Sequence, residues 1–497
     1  MTVSVYTSFV ALLVLAVYAA VLMWLSRAKA GEGSNADFFL AARKSPWWLV
    51  AFGMIGASVS GVSFVSVPGW VRSTQMTYLQ MCLGFVLGYV AVAFVLLPLY
   101  YRLRLTSIYA YLGERFGNAS RRTGSSFFFL SKMAGASARM YLACLVVHQF
   151  VAEPFGIPFA VTAGAILCFI WVYTRRSGIR SIVHTDVLQT LCLLLSVVAV
   201  IGVLAWRMQL GLADMVRTVW ASPMGQVFCF EPGSTQNFWR QFLSGVFIVV
   251  VMTGLDQDMM QKNLTCRSLR DAQKDMCSYG MAFVPVNLLL LAMGVLLYEF
   301  CARQDISAPA SGDSLLPMLV GGGWLGSFVA VPFTLGVVAA AFSSADSALT
   351  ALTTTACIDF LKIEERHLPA AQALRLRRRV HLAVTLVFFL CILLFKAAAG
   401  GSIINTIYVL AGYTYGPLLG LYAFGMLSRR TVRDAWVPVV AIMAPVVCGL
   451  LDAWAPCLWG YTFGYELLML NGLLTMAGLW IISKKSPVAT TVGQDFS

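Results

Sequence analysis

Charged side chains are scarce in this chain. Only 11% of its 497 residues are charged and the mean hydropathy is +0.79, whereas a soluble domain carries roughly 25% charged residues. Uncharged apolar runs of about 20 residues, the length that crosses about 30 Å of hydrocarbon, recur from end to end. A β-barrel is excluded because its strands alternate apolar and polar residues. The composition therefore predicts an all-α polytopic membrane protein.

The motifs of metal and catalytic sites are also missing. The twelve cysteines form no CxxC pair and fall mostly inside apolar runs, so we interpret them as small packing residues. The sequence has no HExxH motif, His/Asp metal cluster or activated Ser/His pair. An intramembrane enzyme is therefore disfavoured, and we predict that the protein is not an enzyme.

The apolar runs predict thirteen membrane spans, which we number 0 to 12. They lie at residues 5–26, 47–71, 77–101, 125–151, 158–174, 182–206, 238–261, 277–300, 322–357, 381–396, 403–427, 435–453 and 463–483. No basic residue precedes span 0, whereas Arg27 and Lys29 follow it. Span 0 is therefore interpreted as a retained helix whose N-terminus lies outside, rather than as a signal peptide.

The distribution of lysine and arginine supports this topology. With the N-terminus outside, every second loop is cytoplasmic and should be rich in basic residues. Most of the 35 basic residues fall in these loops or in the C-terminal tail, Lys262 and Arg377 among them. The net charge of +13 is thus a consequence of topology, and no nucleic-acid partner is expected. We predict one domain over 1–485 in the cell (inner) membrane, with a short cytoplasmic tail at 486–497.

Span 8 is the most polar of the predicted spans. Its stretch SSADSALTALTT begins at Ser343, and the helical period places Ser343, Asp346 and Ser347 on one face with the later threonines. Such a face cannot point at lipid. Hydroxyl and carboxylate oxygens suit a small hard cation, so we interpret Ser343, Ser344 and Asp346 as a cation site. The alternative, strongest for the outer threonines, is hydrogen bonding between helices.

Two spans have interrupted sequences. Span 1 contains GASVSGVSFVSVPG, and span 6 contains Thr253 followed by Gly254. We expect span 1 to unwind at mid-membrane, where carbonyls can bind a cation and half-helix ends can face a charged solute; the alternative is an unbroken, closely packed helix of small residues. Spans 1 and 6 begin equivalent halves if the chain holds two five-span repeats, at about 47–206 and 238–427. Spans 0, 11 and 12 then flank the repeats.

Span 3 carries two basic residues, Lys132 and Arg139, which share a face because they are seven residues apart. Arg139 could hold a solute carboxylate in a bidentate manner. It could equally pair with a neighbouring aspartate.

Six segments resemble, in order, those of the sodium/solute symporter family, which includes bacterial proline, sialic acid and sugar carriers. They are GASVSGVSFVSVPG, YLGERFG, GIRSIVHTDVLQ, GLDQDMMQKNLTCRSLRDAQ, SSADSALTALTT and AGYTYGPLLGLYAFGML. The resemblance covers roughly residues 5–430. It implies a LeuT-type 5+5 inverted-repeat core within about 13 transmembrane helices, alternating access, and sodium-driven uptake.

The resemblance also implies which residues bind. A main sodium site would be built from backbone carbonyls and hydroxyls, those of Gly56, Val59, Ala340, Ser343 and Ser344. A candidate second sodium site would combine side chains of spans 5 and 8, namely Asp186, Ser343, Asp346 and Ser347. The solute would face four residues: Ser60, Ser63, Arg139 and Thr253.

These features predict sodium-coupled symport of a small organic solute into the cell, with Na⁺ as the bound cofactor and the lipid bilayer as surroundings. An amino acid, sialic acid or another carboxylate is the expected solute. Proton coupling is an alternative, because Asp186, His184 and Asp346 could titrate. A sugar symporter and a transporter-like sensor are further alternatives. The sugar carriers' glutamine, asparagine and tyrosine are replaced here by Ser63, Val249 and Met252, which weakens the first of these.

Overall fold

The structure is a computed structural model that describes residues 5–29, 34–366, 368–397 and 403–484. The predicted tail at 486–497 lies outside the described residues. Each predicted span corresponds to a helix or to a broken pair of helices. In order from span 0 to span 12 these are Val5–Ala28, Trp47–Ser58 with Gly61–Thr74, Tyr78–Arg102, Asn118–Val147, Phe159–Ser177, Ile179–Met208, Phe238–Gly254 with Gln257–Asn263, Leu269–Arg303, Ser327–Thr355, Ala370–Ala397, Ile403–Leu427, Val437–Trp459 and Leu467–Ile481.

Short elements connect the spans. The short helices are Asn35–Leu40, Ala41–Arg43, Ala110–Arg115, Glu153–Phe155, Leu212–Ala221, Pro223–Gly225, Gly312–Ser314, Leu315–Gly321 and Asp434–Trp436. Two strands, Thr431–Val432 and Ser483–Lys484, pair antiparallel, with Thr431 opposite Lys484. This pair fastens the end of span 12 beside the start of span 11.

Length and hydropathy agree with a membrane protein. In the part of the chain that the structure describes, ten helices are long and apolar enough to cross a bilayer, and the two broken pairs raise this number to twelve. The remaining predicted span is the shorter apolar helix Leu467–Ile481. Span 8 begins at Ser327 rather than at the predicted residue 322, because Gly323 and Gly326 have φ of +73° and +91°, which a right-handed helix does not contain.

The expected break in span 1 occurs at Val59 and Ser60, where its two halves meet at a bend of 56°. Val59 leaves the helical region at φ −79° and ψ 76°, and Ser60 is extended. The Ser60 hydroxyl accepts a hydrogen bond from the Ser63 N–H at 3.5 Å and so caps the second half. A Cβ on Gly61 would lie 2.9 Å from the Val337 carbonyl oxygen, so glycine lets span 8 approach the break.

Span 6 is broken in the same way, at Leu255 and Asp256, with a bend of 70°. Asp256 is extended, and its Oδ1 accepts hydrogen bonds from the N–H groups of Asp258 at 2.9 Å and Met259 at 3.3 Å. A carboxylate is a strong helix cap because it satisfies N–H groups that lack helical partners. The break therefore places an ionisable side chain inside the membrane domain.

Span 8 lies at the centre of the molecule. It packs against spans 0, 1, 3, 5 and 9, and its most apolar window is 78% buried, whereas the windows of spans 0 and 11 are 22% buried. Burial on all sides explains how span 8 can carry so many polar side chains: they face other helices and not lipid.

Candidate functional site

The hydroxyls of span 8 meet the break in span 1. Ser344 Oγ lies 3.4 Å from the Ala57 carbonyl oxygen and 3.2 Å from that of Ala340. Ala57 lies between the predicted ligands Gly56 and Val59. The last turn of a helix leaves carbonyls without N–H partners, so the end of the first half of span 1 offers oxygens to a cation beside Ser344. Ser344 is only 6% exposed.

Gly56 makes this arrangement possible by its size. A Cβ at this position would lie 2.1 Å from Thr190 Oγ1 on span 5, a distance that atoms cannot adopt. Span 1 therefore packs directly against span 5 at a position next to the break in span 1. The structure thus brings Ala340 and Ser344 together with the segment that carries the predicted carbonyl ligands.

Ser343 points towards span 5 instead. Its hydroxyl donates to Asp186 Oδ1 at 2.6 Å, and both side chains are fully buried. Asp346 lies next to this pair: its Oδ2 accepts from Tyr173 Oη at 2.7 Å and its Oδ1 from Ser347 Oγ at 3.3 Å. The four residues predicted for a second cation site therefore lie in one buried region.

A lysine that the sequence analysis assigned to a cytoplasmic loop also lies in this region. Lys262 is 1% exposed, and its Nζ is 2.7 Å from Asp186 Oδ2. The assignment to a loop is wrong because the second half of span 6, Gln257–Asn263, turns back into the protein after the break. Arg377, placed in a loop by the same reasoning, is likewise buried, with Nη1 donating to the Ser34 carbonyl oxygen at 3.1 Å.

A cavity of about 110 Å³ lies beside the two breaks. Arg139 and Thr253, two of the predicted solute contacts, line it. Ser60 and Ser63 are not among its lining residues; Ser58 is, and its hydroxyl is paired with Tyr279 Oη. Aromatic side chains from spans 2, 7 and 10 form much of the remaining wall, including Phe85, Tyr89, Phe283 and Tyr408.

The wall of the cavity also contains a buried ion cluster that was not predicted from the sequence. Lys132 Nζ lies 2.7 Å from Asp258 Oδ2 and 3.2 Å from Asp256 Oδ2. Tyr415 Oη donates to the same Asp256 oxygen at 2.5 Å. The available signal was the spacing of Asp256 and Asp258 after the break, but their partner lies 124 residues away in the chain.

The contacts of the Arg139 side chain differ from those of Lys132. Among the described residues no carboxylate forms an ion pair with Arg139, and its Nε has no hydrogen-bond partner. The sequence left open whether this guanidinium pairs with an aspartate or serves a solute. In the structure the nearby aspartates pair with Lys132, and Arg139 faces the cavity.

A second, larger cavity of about 590 Å³, the vestibule, lies at the end of the molecule formed by the start of span 2 and the loop before span 8. Trp70, Tyr78 and Tyr465 line it. Tyr78 Oη and Tyr408 Oη are 3.0 Å apart, and Tyr408 also lines the small cavity. One layer of aromatic side chains therefore separates the vestibule from the small cavity.

Two broken helices beside a cavity whose wall contains buried charges are the architecture of many multi-pass membrane transporters. The profile of the Sodium:solute symporter family matches residues 38–435. The protein belongs to that family. Its relatives are transporters and not enzymes, as predicted.

Two relatives show the extent of the similarity. The human sodium/iodide cotransporter is 27% identical over 422 residues, which are 81% of this chain and 63% of that protein. This chain therefore spans less than two thirds of the length of that relative. The sodium/sialic acid symporter NanT of Aliivibrio fischeri is 24% identical over 436 residues, 84% of this chain and 82% of the relative.

Solved structures confirm the predicted fold class. A substrate-bound, outward-open Na⁺-coupled sialic acid symporter matches with a TM-score of 0.80 at 18% identity, over 96% of this chain and 99% of that one. Mhp1, a nucleobase-cation-symport-1 family transporter, matches with a TM-score of 0.59 at 14% identity, over 88% and 92%. The chain thus has the LeuT-type fold that the resemblance implied.

Proposed function

We propose that this protein carries a small organic solute into the cell together with sodium, by alternating access. The observation that carries the proposal is the position of Ser344, whose hydroxyl lies within 3.4 Å of carbonyl oxygens of both span 1 and span 8. Carbonyl and hydroxyl oxygens at a helix break are suitable ligands for a small cation in a membrane. Gly56, Val59, Ala340, Ser343 and Ser344 form the proposed main sodium site.

Sodium at this position would act on the solute cavity through span 1. The ion would link span 8 to the end of the first half of span 1, and Ala57 and Ser58 at that end line the cavity. Binding of sodium would therefore order the wall that receives the solute. With the N-terminus outside in a cell membrane, inward movement of sodium adds about 2.3 kcal/mol per charge per 100 mV of membrane potential.

A second cation is favoured by the charges around span 8. Asp186 and Asp346 are both fully buried, and among the described residues one ammonium, that of Lys262, pairs with Asp186. Two buried carboxylates beside one lysine leave an excess negative charge, which is costly in a membrane domain. Asp186, Asp346 and Ser347 are therefore proposed to hold a second sodium ion; a proton on Asp346 is the alternative.

On the solute side, Arg139 and Thr253 are the proposed contacts, and Arg139 favours a solute with a carboxylate. Ser60 and Ser63 remain predicted contacts, and the Ser60 hydroxyl caps the second half of span 1.

The main site is tested by sodium titration of the purified protein. Ser344→Ala removes a ligand, so we expect the sodium concentration for half-maximal thermal stabilisation to rise about tenfold. Choline chloride at equal ionic strength is the control salt. Ser66→Ala is the control variant, because Ser66 is fully buried in the same span 1 and is not a proposed ligand. Equal sodium dependence in Ser344→Ala, Ser66→Ala and the unmodified protein would contradict the site.

A further inference from the structure

The two ends of the solute cavity carry opposite charge. Arg139 lies on the vestibule side, and Lys132 lies seven residues earlier in span 3, about 10 Å further along the helix axis. At the Lys132 end, Asp256 and Asp258 share the one ammonium, at 3.2 Å and 2.7 Å. That end therefore has an excess of one negative charge, while Arg139 at the other end is a positive charge that forms no ion pair with a carboxylate among the described residues.

Asp256 and Asp258 differ in whether both of their carboxylate oxygens already have hydrogen-bond or ion-pair partners. Asp256 is fully engaged, with the N–H groups of Asp258 and Met259 on Oδ1 and Tyr415 on Oδ2. Asp258 uses Oδ2 for Lys132, but its Oδ1 is buried and has no hydrogen-bond partner among the described residues. Lys262, which is on the same short helix as Asp258, is bound to Asp186. A buried carboxylate oxygen without a donor is unfavourable unless a ligand supplies one.

We propose that the solute is a zwitterion, whose carboxylate binds Arg139 and whose amine binds Asp258 Oδ1; this rests on the proposed function. A simple monoanion would pair with Arg139 and leave Asp258 Oδ1 without a donor. A simple cation would do the reverse. Only a solute that carries both charges compensates both ends of the cavity.

The shape of the cavity adds a second restriction on this solute. Its volume is about 110 Å³, and aromatic rings of Phe85, Tyr89 and Phe283 lie along its wall. The helical rise of span 3 separates the Cα atoms of Lys132 and Arg139 by about 10 Å, which is more than the separation of the two charged groups in an α-amino acid. The expected class is therefore a small ω-amino acid or a betaine-like compound with a short apolar chain between its charged groups.

Lys132 acts here as a positioning residue. Its ammonium lies 2.7 Å from Asp258 Oδ2 and thereby holds that carboxylate with Oδ1 turned away from the lysine. Arginine at the same position would keep the charge, so Lys132→Arg should retain solute preference, whereas Lys132→Met should lose it.

The test is a comparison of matched ligands on the full-length protein in nanodiscs with saturating sodium. The zwitterions are glycine, β-alanine, γ-aminobutyrate and ε-aminocaproate; the monoanions of the same chain lengths are acetate, propionate, butyrate and hexanoate. We expect the best zwitterion to bind at least about tenfold more tightly than its matched monoanion, because it adds a charge-assisted hydrogen bond to Asp258. In Asp258→Asn this ratio should fall to near one, while binding of the monoanion remains.

Asp452→Asn is the control variant. Asp452 lies in span 11, away from the cavity, and accepts a hydrogen bond from Tyr413 in span 10. It should keep the full ratio. Equal binding of zwitterion and monoanion, or failure of every zwitterion to bind, would overturn the inference. A preference for zwitterions that does not depend on sodium would instead overturn the proposed symport and leave the inferred solute class unchanged.

Retained monoanion binding in Asp258→Asn shows that this variant is folded. If it does not fold, Asp258→Glu replaces it and should shift the preferred chain length towards shorter zwitterions.

Discussion

The breaks in spans 1 and 6 occupy equivalent positions in the two repeats, yet they are chemically different. The break in span 1 is capped by a neutral hydroxyl, that of Ser60, and leaves carbonyls near Ser344. The break in span 6 is capped by Asp256, whose carboxylate is bound to Lys132 and Tyr415. One break is thus an uncharged oxygen site, and the other is a buried ion cluster.

This difference shows how one repeated fold supports two binding tasks. A neutral break can exchange a cation without leaving a buried charge behind when the ion departs. An ionic break is held by partners from spans 3 and 10, so it is a fixed wall for a charged solute. Substitutions at the two breaks should therefore differ in effect, with the largest loss at the ionic break.

The largest effect is expected at the ionic break. Lys132→Met leaves Asp256 and Asp258 buried without their cation, and breaking a buried pair in this way destabilises by about 3–5 kcal/mol. The measurement is thermal unfolding in detergent. The control is Lys362→Met, which removes a partly exposed pair with Glu365 at 2.9 Å and should change stability by about 0–1 kcal/mol. Equal losses in the two variants would mean that the cluster is solvated and the two breaks do not differ.

An intermediate effect is expected beside the neutral break. Gly56→Ala places a Cβ 2.1 Å from Thr190 Oγ1, so spans 1 and 5 must separate, at a loss of about 1–3 kcal/mol. The affinity for sodium should fall with it, as measured by sodium titration of thermal stability. Gly202→Ala in span 5 is the control, since no atom lies within 4 Å of its Cβ position; it should be neutral or stabilising by up to about 1 kcal/mol. Normal stability and sodium affinity in Gly56→Ala would show that the break is not seated on span 5.

The smallest effect is expected from the neutral cap of span 1, Ser60. Ser60→Ala removes one hydrogen bond of 3.5 Å and should destabilise by about 0.5–1 kcal/mol. Asp256→Ala removes a cap and also one partner of Lys132, so its loss should exceed that of Ser60→Ala. Chemical denaturation of both variants, side by side, gives the difference. A larger loss for Ser60→Ala would reverse the proposed contrast between the breaks.

Local sequence features predicted much of this arrangement. The glycines and serines around Ser58 lower helix propensity over several consecutive residues, which is why a break could be expected in span 1. The face containing Ser343 and Asp346 follows from the helical period alone. Thr253 and Gly254 signalled the second break, which the structure places one to two residues later.

The charge pairing could not be predicted in the same way. Lys262 was read as a loop residue because positive charge near the end of a span usually lies in the cytoplasm. Its burial depends on a 70° bend, and its partner Asp186 lies on another span. Arg139 and Lys132 share a helix face, and no feature of the neighbouring sequence indicates that Lys132 is the one that pairs with the two aspartates.

By itself the sequence determined that this chain is a helical membrane protein, where its helices break, and which helix carries the hydroxyls, because hydropathy and helical period act over a few neighbouring residues. The tertiary structure alone decided that Ser344 contacts span 1, that Lys132 binds Asp256 and Asp258, and that Arg139 lies on the cavity wall without an ion pair in the described part of the chain. These contacts join helices more than 100 residues apart in the chain, and only packing of the two repeats fixes which charges and oxygens meet.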